Sequence, residues 1–173
     1  MEQPPERHRR ISEFRFLVLA IMKKEKILER MTKICSTREY CKRDIVAKIE
    51  RLKGEDAIDT QAIISQLCED KYIDEKRYAA AFARDKSALQ GWGQQKIRYA
   101  LAVKGLDEES IAAGLEQIEP EKAQKKMESV LAAKLRSLKG DEREKFLKLA
   151  KFAQGRGYSY NQVKAFYDHY RRD

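Results

Sequence analysis

Apolar residues recur along this chain at spacings of three and four. Ile45, Ile49 and Leu52 stand at i, i+4 and i+7, and Ile63, Ile64, Leu67 and Cys68 make the next stripe. Tyr78, Ala79 and Phe82 continue it, followed by Ile97, Ala100 and Leu101, by Ile111, Leu115 and Ile118, and by Met127, Val130, Leu131, Leu135 and Leu138. Each set lies on one face of a 3.6-residue helix. No stretch of useful length alternates as a half-buried strand does. The pattern therefore predicts an all-α chain built from short helices of about eight to eighteen residues.

Start and stop signals fall where the stripes require them. Ser36 with Glu39 and Ser159 with Gln162 have capping-box spacing, in which side chains satisfy amide protons at a helix start. Pro120 suits a first helical turn, where its missing N–H costs nothing. Lys104-Gly105-Leu106 and Arg156-Gly157-Tyr158 read as helix ends, with glycine taking the left-handed conformation and an apolar residue folding back.

Superimposing those two ends exposes an internal repeat. Lys96-Ile97 through Gly105-Leu106, Ile111 and Leu115 aligns without a gap on Lys148-Leu149 through Gly157-Tyr158, Val163 and Tyr167, at an offset of 52 residues. Asp44 to Gly54 takes the same part earlier, with Glu55-Asp56-Ala57 inserted before its second helix. The repeat predicts an extension over residues 1–24 and helical modules over 25–88, 91–138 and 141–173. One such module buries too little apolar surface to stand alone, so the three are expected to stack as an elongated, curved array.

Charge adds an asymmetry. The formal net charge is +9. Residues 1–120 carry 23 basic and 21 acidic side chains, whereas 121–173 carry 14 and 7, so an anionic partner is drawn most strongly to the last third. Solvated helix faces account for most such lysines in general, and charge alone assigns no partner. Cys35, Cys41 and Cys68 form no C-x-x-C pair, and their odd number argues for reduced thiols and a cytoplasmic protein. The apolar run Phe16 to Met22 is shorter than the roughly 20 residues a membrane crossing needs. It leads into Lys23-Lys24-Glu25-Lys26, not a small-residue cleavage site. It is read as a helix packing on the first module; the extension over 1–24 is expected to be partly disordered or helical, and Pro4 and Pro5 are compatible with a disordered lead-in through about residue 12.

The sequence holds no constellation for catalysis or for a cofactor. A phosphate-cradling G-x-x-x-x-G-K is absent, and His8 and His169 lie too far apart for a local metal site. Glu69-Asp70 and Asp107-Glu108-Glu109 sit at predicted helix ends, where carboxylates cap or solvate, and Asp74 is read as an N-cap. Cys35 and Cys41 are expected to be buried as small apolar residues. Trp92, between Gly91 and Gly93, has two readings: a stacking or anchoring contact, or a wedge between modules, to which its size inclines it. The chain is therefore expected to be no enzyme and to need no cofactor or metal.

The stretch Tyr72-Ile73-Asp74-Glu75-Lys76-Arg77-Tyr78-Ala79-Ala80-Ala81-Phe82-Ala83-Arg84-Asp85, then Gly91-Trp92-Gly93-Gln94-Gln95-Lys96-Ile97-Arg98-Tyr99-Ala100-Leu101-Ala102-Val103-Lys104-Gly105-Leu106, resembles the central signature of the RecX family. A helix with an aromatic and alanine run ending in Arg is followed by a glycine-led basic helix closing on Lys-Gly-apolar. The resemblance covers roughly residues 35–170 and is weakest in the third module, where Gly155 interrupts a helix. It implies three tandem three-helix modules and a regulator that binds the RecA filament on single-stranded DNA, inhibiting ATP hydrolysis and strand exchange. The implied partners are the RecA filament and, through it, single-stranded DNA; no membrane is expected, and a monomer is the default for a repeat array with charged faces. On this basis the expected partner-binding residues are Arg84, Trp92, Lys96, Arg98, Lys104, Lys148, Lys151, Arg156 and Lys164, which avoid the apolar stripes. The alternative is a helical DNA-binding protein acting without RecA, with Gln94, Gln95, Lys96 and Arg98 as a weak recognition set.

Overall fold

The computed structural model describes the backbone of residues 6–172 and the side chains of residues 18–172. Among the described residues it is all-α: α1 (Glu6–Cys35), α2 (Lys42–Lys53), α3 (Thr60–Glu69), α4 (Glu75–Ala88), α5 (Gln94–Val103), α6 (Glu108–Glu116), α7 (Pro120–Ser137), α8 (Glu142–Gly155) and α9 (Tyr160–Tyr170). The 52-residue period reappears as burial. Ile27, Ala79 and Leu131 are buried, as are Met31, Ala83 and Leu135; Ile45, Ile97 and Leu149; and Ile49, Leu101 and Ala153. Each set holds one position in three successive helix groups. Burying a Leu or Ile side chain contributes about 1.5–3 kcal/mol, so these positions carry much of the cohesion of each group.

The chain divides into two compact units, residues 1–74 and 75–173. In the first, α1, α2 and α3 pack on one another around Ile27, Met31, Ile45, Ile49, Ile63 and Leu67. Asp59 caps α3, its carboxylate accepting from the Ala62 amide at 3.1 Å. Cys35 and Cys41 are buried as expected, and burial raises the Cys35 thiol pKa above its ordinary value, with Glu39 adding to the rise.

Of the extension expected to be partly disordered or helical, residues 6–24 belong to α1, and residues 1–5 lie outside the described residues. Two expectations for this unit fail, both at α1 and its end. Val18, Leu19, Ile21 and Met22 are exposed on α1, so these residues of the apolar run are not buried against the module; among the described side chains of α1 the first buried one is Ile27. The Ser36–Glu39 capping box does not form either. The Ser36 hydroxyl donates back to the Thr32 carbonyl at 2.9 Å, closing α1, and α2 starts later with Cys41 as its N-cap.

In the second unit α4, α5 and α6 pack mutually, as do α7, α8 and α9, and α4 also touches α7. Residues 75–88, which the repeat assigned to the first module, thus belong with α5 and α6. Likewise, α7, assigned to the second module, packs with α8 and α9. The reason lies in side-chain size. Buried Ala79 leaves room for α6 at Gly114, where a Cβ would sit 2.6 Å from the Ala79 Cβ. A stripe built of alanine marks the seat of a closely packed helix.

Signals at the helix ends of this unit hold. Ser159 and Gln162 form the capping box of α9, Pro120 opens α7, and Asp107 caps α6 by accepting from the Ser110 amide at 2.7 Å. Gly105 and Gly157 have φ of 84° and 85°, and the amides of Leu106 and Tyr158 fold back onto Leu101 and Ala153. Gly155 proves to be the last residue of α8, not an interior break. No helix among the described residues is long and apolar enough to cross a membrane.

Candidate functional site

The turn 89–93 joining α4 to α5 interlocks with the turn 155–158 joining α8 to α9. The Gly93 amide donates to the Arg156 carbonyl at 2.8 Å, and the Tyr158 hydroxyl donates to the Gly91 carbonyl at 2.9 Å. Two cations close the same seam. Lys96 Nζ donates to the Gly155 carbonyl at 3.0 Å, and the Arg156 guanidinium donates to the Gln90 carbonyl at 2.7 Å. Both acceptors are carbonyls at or just past a helix C-terminus, where the backbone dipole favours positive charge. Burial raises the Tyr158 hydroxyl pKa above its ordinary value, against the opposing pull of Arg156.

Trp92 is half-buried beside this seam. Its ring meets Phe82 of α4 edge-on at 6.3 Å, and the ammonium groups of Lys86 and Lys96 lie 4.9 and 4.6 Å from the indole centroid. The indole therefore packs within its own helix group. Its flanking glycines and Tyr158 make the backbone-level contact with the next group.

All nine residues expected to bind a partner fall in the second unit. The structure brings Trp92, Lys96 and Arg156 together at the seam. The others are spread along the helices. Arg98 is exposed and paired with Glu108, and Lys104 is half-buried with its ammonium 5.8 Å from the Tyr78 ring centroid. Lys148 bonds the Lys139 carbonyl and Glu144 at 3.0 and 3.2 Å. Lys164 bonds Asp168 at 2.6 Å, a pairing that raises the lysine pKa and lowers that of the carboxylate. Arg84 on α4 and Lys151 on α8 have exposed side chains.

One residue of the same neighbourhood escaped the sequence reading. Lys86 was missed although its i, i+6 relation to Trp92 was available. Among the described residues no group of His, Cys, Asp and Glu is placed to hold a metal ion.

A family model described as "RecX, second three-helix domain" matches residues 74–115, the span of α4, α5 and α6. The regulatory protein RecX of Clostridium botulinum strain Eklund 17B is 34% identical over 116 residues, covering 65% of this chain and 54% of that protein. The chain thus spans about half the length of that relative. The regulatory protein RecX of Chlorobium phaeobacteroides is 28% identical over 145 residues, covering 83% and 93% of the two chains. A crystal structure of a regulatory protein RecX superposes with a TM-score of 0.74 at 24% identity, covering 84% of this chain and 73% of the other. That of RecX from Lactobacillus salivarius gives 0.71 at 18% identity, covering 86% and 97%. At these identities the two structures show the fold.

Proposed function

Since the chain belongs to the RecX family, we propose that it regulates RecA by binding the RecA filament on single-stranded DNA, inhibiting its ATP hydrolysis and strand exchange. The observation that carries this reading is the match of α4–α6 to the second three-helix domain of that family. The charge of the second unit supports it. Residues 75–173 carry 21 basic and 14 acidic side chains, a net of +7, which suits a surface lying near DNA phosphates.

In this reading the chain does no chemistry and acts by occupying the filament in the cytoplasm as a monomer. Three modules on one chain make linked contacts, so each bound module raises the effective concentration of the next. Arg84, Arg98, Lys104, Lys148, Lys151 and Lys164 supply the basic contacts. Trp92, Lys96 and Arg156 set the seam that carries them. The test is the DNA-dependent ATP hydrolysis of the cognate RecA on single-stranded DNA with increasing amounts of this chain. Inhibition at chain concentrations well below that of RecA is expected, with the chain alone hydrolysing nothing. Undiminished hydrolysis at equimolar chain would sink the reading.

A further inference from the structure

A cleft of about 270 Å³ opens between the α4–α5 turn, the α6–α7 junction and the start of α9. Trp92, Ile118 and Met127 give it apolar walls, and Gln94, Gln124 and Gln162 give it three amides. No charged side chain lines it. A phosphate or a carboxylate would find no cation inside, and an aliphatic group would leave the amides without partners. The lining fits a flat, neutral ring that carries donors and acceptors on its edge. Its volume falls just below the roughly 300–1,000 Å³ of sites for drug-sized ligands, which suits a single heterocycle.

Two of the amides are already held at one end. Gln124 Nε2 donates to Glu128 Oε1 at 2.7 Å, and Gln162 Oε1 accepts from the Ser159 amide at 2.8 Å. The Gln124 oxygen is thus left to accept and the Gln162 nitrogen to donate. An acceptor and a donor lining one cleft are the kinds of group that the edge of a base pairs with. Met127 adds a polarisable sulfur against a ring. Just outside, the ammonium groups of Lys86 and Lys96 lie 4.9 and 4.6 Å from the Trp92 centroid, placing positive charge beside the Trp92 wall.

From this we infer that the cleft receives an unpaired base of single-stranded DNA, while Lys86 and Lys96 attend the phosphates on either side. The α4–α9 unit then reads a base directly, in addition to any contact with a protein filament, and this step needs no RecA. Stacking and edge pairing of one base are available only on an unpaired strand, so duplex DNA is excluded from the cleft.

Trp92 is the single tryptophan of the chain, so its fluorescence reports on this wall without labelling. The experiment titrates the full chain, without RecA, with a deoxyadenosine oligonucleotide and with the same strand made abasic. Saturable change of the Trp92 emission by the base-bearing strand is expected, with binding at least about fivefold weaker to the abasic strand. Gln94→Ala together with Gln124→Ala, both at exposed positions, should weaken binding of the base-bearing strand toward the abasic level, the stacking contribution remaining, with the melting temperature unchanged. Equal binding of the two strands, or full affinity in the double variant, overturns the inference and leaves a purely electrostatic contact. No binding of either strand overturns it too, and inhibition of RecA hydrolysis, measured separately, is unaffected by that result.

Discussion

Gly93 and Gly157 meet backbone against backbone. The amide of Gly93 donates to the carbonyl of Arg156 at 2.8 Å, and a Cβ added to either glycine would collide with main-chain atoms of the opposite turn. The two turns stand at opposite ends of equivalent helices in different repeats, one leading into α5 and the other closing α8. Their contact fixes α4–α6 to α7–α9 through main chain, which leaves little freedom for substitution.

Gly157→Ala should therefore destabilise the protein by more than about 2 kcal/mol, since it combines a left-handed φ with a clash against Lys96. Gly155→Ala, two residues away, should do the opposite. A Cβ there meets nothing within 4 Å, and alanine at a helical position gains up to about 1 kcal/mol over glycine. Urea denaturation of the two variants checks the pair, and equal effects would contradict the seam.

A second close approach lies inside the α4–α6 group. Gly114→Ala would place its Cβ 2.6 Å from the Ala79 Cβ and 2.7 Å from the Ala79 carbonyl carbon. Backbone cannot yield as a flexible side chain does, so we expect a loss of about 1–3 kcal/mol in place of the gain that helix propensity alone would give. A denaturation midpoint at or above that of the wild type would show that α4 and α6 are not held at this distance.

These positions show where the sequence was legible and where it was not. Ile45, Ile97 and Leu149 announce themselves through periodicity because each is large, apolar and repeated. Ala79 and Ala83 occupy the same register with small side chains, which a hydrophobic stripe undervalues, and so α4 was placed with the wrong neighbours. The Ser36–Glu39 spacing was present without its helix start, since the serine hydroxyl took the carbonyl of Thr32 instead. The Gly93–Gly157 contact leaves no local pattern, because it joins residues distant along the chain. Of the binding residues, spacing could mark basic positions outside the stripes, but it could not tell that Lys96 and Arg156 spend hydrogen bonds on the seam.

Tyr158 links the seam to pH. Burial raises its hydroxyl pKa above the ordinary value near 10, so the folded state holds this proton more tightly than the unfolded chain does. Its contribution is complete below the unfolded pKa and is lost as pH rises through the folded one, because the phenolate can no longer donate to the Gly91 carbonyl. Tyr158→Phe should cost about 1 kcal/mol at neutral pH and lose less stability than the wild type between about pH 9 and 11. Denaturation midpoints at pH 7 and across that range give the answer, and parallel curves for the two proteins would remove Tyr158 from the alkaline response.

The basic residues should separate into two kinds when truncated. Arg156→Ala removes a donor from the Gln90 carbonyl and should lower stability by about 1 kcal/mol, with any loss of the proposed RecA inhibition following from the loosened seam. Arg84→Ala and Lys151→Ala alter exposed side chains on α4 and α8, and should leave the melting temperature unchanged. If they contact phosphates, each should weaken inhibition most at low salt and reduce the salt slope of binding by about one. Thermal melting and inhibition of RecA hydrolysis across a salt series distinguish the classes. Full inhibition by the Arg84→Ala, Lys151→Ala double variant at every salt concentration would place the contact surface elsewhere on the unit.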